Sequence, residues 1–286
     1  MTSIRNPIEW TFDQFRHAGH GMEAAVHAVG SMPGEAAAAP VVRRIGLADL
    51  RAALASGLED FAACRADVLY LCVIYPLAGL VLGHLMFGYA MLPLLVPLAS
   101  GFALVGPVAA IGLYQLSRRR EQGLSVTWAD AFGVVRAPGI GAILVLGFML
   151  VVLLAVWLLA ANTIYNVTLG PEPPASLTAF VHDVIATRAG WAMIAVGCGV
   201  GFLFAVLAGA VGVVSFPLLV DRPVPFATAI RTSLRAVAMN PLPMALWGLI
   251  VAGALVLGSL PLLLGLIVAM PVLGHATWHL YRKLVV

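Results

Sequence analysis

Apolar residues run along this chain in long unbroken blocks. Six stretches, approximately Val68–Gly88, Tyr89–Leu116, Ile140–Thr163, Gly190–Val220, Pro241–Gly258 and Leu260–Tyr281, contain no Asp, Glu, Arg or Lys. A helix needs roughly 20 apolar residues to cross about 30 Å of hydrocarbon. In lipid every backbone group must be paired within its own segment, so such blocks form helices. The pattern therefore predicts six transmembrane helices, and they come in pairs. Only the residues around Gly88–Ala90 separate the first from the second, and only Gly258–Ser259 the fifth from the sixth, which predicts tight hairpins. The third and fourth are joined through TLGPEPPAS, rich in turn formers, and LTAFVHDVIATRAGW, which reads as a short amphipathic helix on the outer surface.

Shorter amphipathic segments precede each hairpin. LADLRAALASGLEDFAACR places Leu47, Leu50, Leu54, Phe61 and Cys64 on one helical face. TWADAFGVVRAPG is a shorter counterpart, and PFATAIRTSLRAVAMNP sets Ile230, Leu234 and Val237 against Arg231 and Arg235. The expected fold class is all-α: a polytopic helical membrane protein, six transmembrane helices as three hairpins, each preceded by a cytoplasmic interfacial helix. GPVAAIGLYQLSRR (106–119) can be laid on MPVLGHATWHLYRK (270–283) without a gap, pairing Pro107 with Pro271, Tyr114 with Trp278 and Arg118–Arg119 with Arg282–Lys283. This suggests internal repeats over about 45–117, 124–220 and 223–286 within a membrane domain of residues 45–286. In that register His275 falls opposite Ile111, and His279 opposite Gln115. Residues 1–44 form a cytoplasmic amphipathic arm and linker, with Ile8, Phe12, Phe15, Gly19, Met22, Val26 and Val29 in alternating steps of four and three.

Composition agrees with a membrane chain. The 286 residues are 62% hydrophobic and only 10% charged, with a mean hydropathy of +1.00, against about 25% charged in a soluble domain. The net charge of +3 is scattered between apolar blocks, so it is no nucleic-acid signal. Charge does set orientation. Arg5, Arg16, Arg43, Arg44, Arg51, Arg65, Arg118, Arg119, Arg120, Arg136, Arg222, Arg231, Arg235, Arg282 and Lys283 all fall on one side of the predicted spans, and only Arg188 on the other. The positive-inside rule puts that side in the cytoplasm, with both termini. Arg118, Arg119, Arg120, Arg282 and Lys283 form the cytoplasmic basic flank of a multi-pass membrane protein.

Sites of chemistry are scarce. There is no P-loop, GxSxG, HExxH or GxGxxG after a strand. The predicted spans hold no carboxylate, where a proton-coupled transporter would be expected to carry one. Cys64, Cys72 and Cys198 have no ligand-like spacing. The ionisable side chains left at membrane depth are His84, His275 and His279. His275 and His279 lie four apart, on one helix face. They could ligate haem or a metal, or touch a quinone. The favoured reading is two packing histidines at the inner end of the sixth span, with Trp278 and Tyr281 in an aromatic belt. No cofactor is therefore expected. Small residues at every fourth position, Gly197, Gly201, Ala205 and Gly209 in the fourth span and Gly79 and Gly83 in the first, mark helix packing or partner contact.

Three blocks, PLASGFALVGPVAAIGLYQLSRRREQG, VVSFPLLVDRPVPFATAIRTSLRAVAMNP and LGHATWHLYRKLV, resemble the DUF2189 family of bacterial integral membrane proteins of unknown function, over roughly residues 45–286. Some members carry a cytochrome c oxidase subunit label, so the resemblance implies an association with the respiratory chain at most. The multi-histidine pattern of a catalytic haem–copper subunit is missing. The expected function is a non-catalytic accessory, assembly or scaffolding protein in the lipid bilayer, beside a respiratory oxidase or another membrane complex. The alternatives are a carrier or channel for a small uncharged or lipid-like solute, and a haem- or quinone-binding redox protein.

Overall fold

The structure, a computed structural model, describes residues 40–64, 92–136, 139–261 and 263–286, together with Leu77, Val81 and His84. The N-terminal arm and most of the first expected span, including Gly79 and Gly83, lie outside the described residues. The described helices are α1 (Leu47–Ala63), α2 (Leu92–Ala109), α3 (Ile111–Glu121), α4 (Ile140–Thr168), α5 (Leu177–Ala186), α6 (Arg188–Asp221), α7 (Phe226–Met239), α8 (Pro241–Ser259) and α9 (Leu266–Leu284). A 3-10 segment, Trp128–Arg136, connects α3 to α4.

Three of these, α4, α6 and α8, are long and apolar enough to cross a membrane. Their length follows from uninterrupted apolar sequence, and their starts from local chemistry. The Ser176 side chain accepts a hydrogen bond from Ala179 N at the head of α5, and Thr187 from Gly190 N at the head of α6, each satisfying a donor that the first helical turn leaves unpaired. Pro241 opens α8, where its missing N–H costs nothing.

Several expected elements come out differently. The second expected span is not one helix: α2, with Pro97 and Pro107 inside it, gives way to α3 at Ala110. The middle interfacial segment is 3-10 rather than α-helical. The last expected span starts later, at Leu266, after a turn in which Leu263 takes a φ of +66°. Glycines make that turn possible. A Cβ on Gly265 would lie 2.7 Å from Gly258 Cα, so the two chains touch backbone to backbone. The short amphipathic helix expected near 177–186 is present as α5. Leu177, Val181 and Ile185 line up on its exposed side.

Helices α2, α4 and α6 pack against one another. Trp157 of α4 fills their centre: its indole N–H donates to Pro97 O at 2.9 Å, and its ring lies where a Cβ on Gly201 would fall, 3.0 Å away. Below this bundle the chain builds a second, denser region. The last third of α6, from Val211 to Val220, is almost wholly enclosed, as is α9 from Pro271 onwards. α1, α3 and α7 complete this packed end, and α9 makes its most extensive contact with α1. The C-terminal strand residue Val285 pairs antiparallel with Val42, so the last residues of the chain hold the segment leading into α1.

Candidate functional site

The face that α1 turns inward carries Leu50, Ala53, Gly57, Asp60, Phe61 and Cys64. Leu50, Ala53, Gly57, Asp60 and Cys64 follow one another in steps of three and four, a seam suited to a neighbouring helix, with Phe61 beside it. Leu47, expected on that face, is 54% exposed. The seam instead uses small residues, because α9 comes very close. A Cβ on Gly57 would lie 2.5 Å from Ala276 N and 2.6 Å from Ala276 Cβ. On the other side of α9, a Cβ on Gly274 would lie 2.5 Å from Leu113 Cδ1 of α3. One helical turn beyond Gly57, this close approach delivers Asp60 to His275 and His279 of α9 and to Ser117 of α3.

The four side chains form one network. Asp60 Oδ2 accepts from the Ser117 hydroxyl at 2.6 Å and lies 2.8 Å from His279 Nε2. Ser117 Oγ lies 2.7 Å from His275 Nδ1. Arg120 sits 3.2 Å from Asp60 Oδ1 and donates to Glu59 O at 2.9 Å. An ionised carboxylate can only accept, and this fixes the protons. Ser117 spends its single hydrogen on Asp60, so His275 must donate its Nδ1–H to Ser117, and His279 donates Nε2–H to Asp60. His275 is then neutral with its lone pair on Nε2, a buried atom with no hydrogen-bond partner among the described residues. His275 has no exposed surface, Ser117 1% and Asp60 6%. Burial pushes the Asp60 carboxyl up, but the hydrogen bonds from His279 and Ser117 outweigh it and hold the pKa below the ordinary value of 3.8.

Serine, histidine and aspartate together invite comparison with a nucleophilic triad. The polarity is reversed. In a triad the histidine presents a lone pair to the serine hydroxyl and takes its proton. Here the histidine presents N–H, the serine proton points at the carboxylate, and the serine oxygen is enclosed. The network joins three helices.

A second polar layer lies nearer the chain's end. Asp221, the last residue of α6, accepts from Tyr281 Oη at 2.6 Å and from Arg222 Nε at 3.2 Å, and Arg282 reaches it at 3.5 Å. Glu121, the last residue of α3, accepts from Trp278 Nε1 at 3.1 Å and from Arg282 Nε at 3.0 Å. A carboxylate at a helix C-terminus meets the negative end of the dipole, and the surrounding arginines offset this. Tyr281→Phe removes the shortest bond to Asp221 but leaves its arginines in place. A loss of about 1–2 kcal/mol is expected, read from denaturant unfolding in detergent micelles.

The predicted residues are thus distributed as follows. The imidazoles of His275 and His279 share a face, and that face meets a carboxylate and a hydroxyl. Trp278 and Tyr281 are not in an aromatic belt: both are fully enclosed, with their polar tips on Glu121 and Asp221. The basic flank is ion-paired, Arg118 with Asp221, Arg119 with Asp130, Arg120 with Asp60, Arg282 with Glu121 and Asp221, and Lys283 with Asp49. Of the small-residue stripe on α6, Gly201 receives Trp157, while a Cβ on Gly197 or Gly209 would meet open space and Ala205 is exposed. His84 is exposed and apart from the network. Asp60 and Ser117 were missed by the sequence reading. The signal for Asp60 was its place in the series Leu50, Ala53, Gly57, Asp60, Cys64; no local pattern marks Ser117.

Residues 94–221 match the model of a family described as a predicted integral membrane protein (DUF2189). Over that segment, 128 of the 286 residues, the chain is similar to DUF2189. The DUF2189 match opens inside α2 and closes on Asp221, so it takes in Ser117, Arg118–Arg120, Glu121 and Asp221. Asp60, His275, His279, Trp278 and Tyr281 come from α1 and α9, outside it. Each polar layer is therefore built half from the DUF2189 segment and half from the helices that flank it. No curated protein matches the chain, and no solved structure does.

Proposed function

We propose that the chain is a non-catalytic accessory, assembly or scaffolding component of the bacterial inner membrane, multi-pass with both termini in the cytoplasm, working beside a larger membrane complex. The observation that carries this reading is how the buried ionisable groups are used. Asp60 and the partly buried Asp221 are each occupied by partners from two other helices, α3 and α9, and the more exposed Glu121 by two partners on α9, which is the use expected of structural cross-links. The long exposed aliphatic surface of α4, α6 and α8, with residues such as Phe148, Phe202 and Leu249 more than half exposed, is suited to lipid and to neighbouring helices. The open glycines of α6 would allow close approach of another helix. The family resemblance supplies the complex to look for, a respiratory cytochrome oxidase.

The test is extraction of the tagged full-length chain from its native membrane in mild detergent, followed by identification of what stays bound. Oxidase subunits in stoichiometric amount are the expected result. A lone chain that passes a small uncharged solute across proteoliposomes would overturn the accessory reading in favour of a carrier. A Soret band lost in His275→Ala would overturn it in favour of a redox protein.

A further inference from the structure

Among the basic residues of the described chain, those at the ends of α3 and α9, with Arg222, are spent on carboxylates, as set out above. Arg43, Arg44, Arg51, Arg188, Arg231 and Arg235 are exposed and make no ion pair among the described residues. Four of these, Arg43, Arg44, Arg231 and Arg235, gather around one junction, the point where α7 passes into α8.

That junction is organised by Asn240, which is 2% exposed. Its side-chain oxygen accepts from Ile45 N at 2.8 Å, and its amide donates to Arg43 O and to Ala236 O, both at 3.0 Å. The Arg43–Arg44 dipeptide is thereby fastened to the head of α8. The chain end adds to the clamp, with Arg43 N donating to Leu284 O at 2.8 Å. From the other direction, α7 is held against α6 by Ser233, whose hydroxyl donates to Ala210 O at 2.7 Å and accepts from Val214 N at 3.2 Å. The inward face of α7 is small and polar, Ala229, Thr232, Ser233 and Ala236. Its arginines therefore turn outward, as the sequence pattern has them, with Ile230 and Val237 partly buried against the core, while Leu234, expected with those two, is exposed.

The height of this junction follows from α8. At 19 residues and about 1.5 Å per residue it is about 28 Å long, which just spans the hydrocarbon. Its first residue, and Asn240 before it, therefore stand at the hydrocarbon boundary. Arg235 lies about 7 Å further along α7, within the headgroup layer, and Arg43 and Arg44 are pinned at the boundary itself. Leu242, 66% exposed, flanks the arginines on the hydrocarbon side. Guanidinium groups with no anion among the described residues, at headgroup height, above exposed aliphatic side chains, match the two ends of a phospholipid of net negative charge.

We propose that Arg43, Arg44 and Arg235 form a binding site for an anionic phospholipid of the adjoining leaflet, its headgroup held by the guanidinium groups and its acyl chains lying on α8. Arg231, one turn further from the bilayer, adds to the field. The lipid would fix the loop before α1 against the membrane, and with it the helix that carries Asp60.

The full-length chain in a neutral mild detergent is titrated with phosphatidylglycerol or with phosphatidylcholine and followed by native mass spectrometry. Phosphatidylglycerol is expected to be retained in preference to phosphatidylcholine. With each arginine contributing roughly a fivefold factor, R43Q/R44Q/R235Q weakens that retention by on the order of a hundredfold. The charge-conserving R43K/R44K/R235K keeps most of it, and R188Q leaves it unchanged. Should the triple glutamine variant fail to fold, R44Q/R235Q gives the same test with an expected loss of on the order of twenty-fivefold. Equal retention of the two lipids overturns the proposal, as does unchanged affinity in the glutamine variants. So does an equally large loss in the lysine variant. Inorganic phosphate that displaces phosphatidylglycerol at equal concentration overturns the lipid assignment.

Discussion

Replacing Asp60 with alanine is expected to cost about 3–5 kcal/mol of stability, the loss typical of breaking a buried, hydrogen-bonded ion pair from one side. The substitution strips His279, Ser117 and Arg120 of a shared acceptor at once, and it leaves the Ser117 hydroxyl enclosed without a partner for its proton. Ser117→Ala removes two bonds, the one donated to Asp60 and the one accepted from His275, but leaves the ion pairs, so it should cost less, roughly 1–3 kcal/mol. Denaturant unfolding in detergent micelles reads both. An Asp60→Ala chain within about 0.5 kcal/mol of the parent, the range of an ordinary surface change, would show that the network holds nothing together.

The same carboxylate gives stability a pH dependence with a definite sign. Its pKa in the folded chain lies below 3.8, so near that pH the unfolded chain binds more protons than the folded one. The contribution is complete above the unfolded value and is lost as the pH falls through the lower folded value. An Asp60→Asn chain should lack this part of the acid sensitivity.

Gly57→Ala is the second large effect expected, and its sign is the informative part. In the middle of a helix this change normally stabilises by about 0.5–1 kcal/mol. At Gly57 the added carbon would lie 2.5 Å from Ala276 N and 2.7 Å from Ala276 Cα. Backbone cannot swing aside as a flexible side chain can, so α1 and α9 must part. Overpacking of this kind costs about 1–3 kcal/mol, and the shift would also draw Asp60 away from His279, one turn further on. Ala276→Gly in the same chain removes one of the three close atoms and should restore only part of the loss. Gly199→Ala, where a Cβ meets nothing within 4 Å, should leave unfolding unchanged or delay it. A stabilised Gly57→Ala chain would mean that the two helices are further apart than described.

Both effects depend on features that hydropathy does not reveal. The rule that large apolar residues mark the buried face holds only in part for α1 and α7: Leu50, Phe61 and Cys64 are buried and Leu54, Ile230 and Val237 pack on the core, but small residues share those faces and two leucines leave them. In α1, Leu47 points outward while Ala53 and Gly57 are buried. In α7 the buried stripe is Ala229, Thr232, Ser233 and Ala236, and Leu234 is exposed. Close helix contact selects for small side chains, and at a membrane surface the outward face has lipid to meet as well as water. The histidine pair was legible as a pair, since spacing alone puts two residues four apart on one face. What it faces was not, because Asp60 and Ser117 come from chain positions more than 150 residues away.

The sequence by itself determined that this is a helical membrane chain. Long blocks without charge leave the backbone no alternative to the helix, and local signals such as Ser176, Thr187 and Pro241 place several helix starts. It also determined that the basic residues lie between and beside the apolar blocks, since their distribution along the chain is plain. Tertiary structure alone decided that the final helix ends inside the protein rather than at a membrane rim. Trp278, Tyr281 and His275 have the composition of a belt, but α1, α3 and the end of α6 close around them. Enclosure depends on distant segments meeting, and a distance between segments is a property that no local pattern carries.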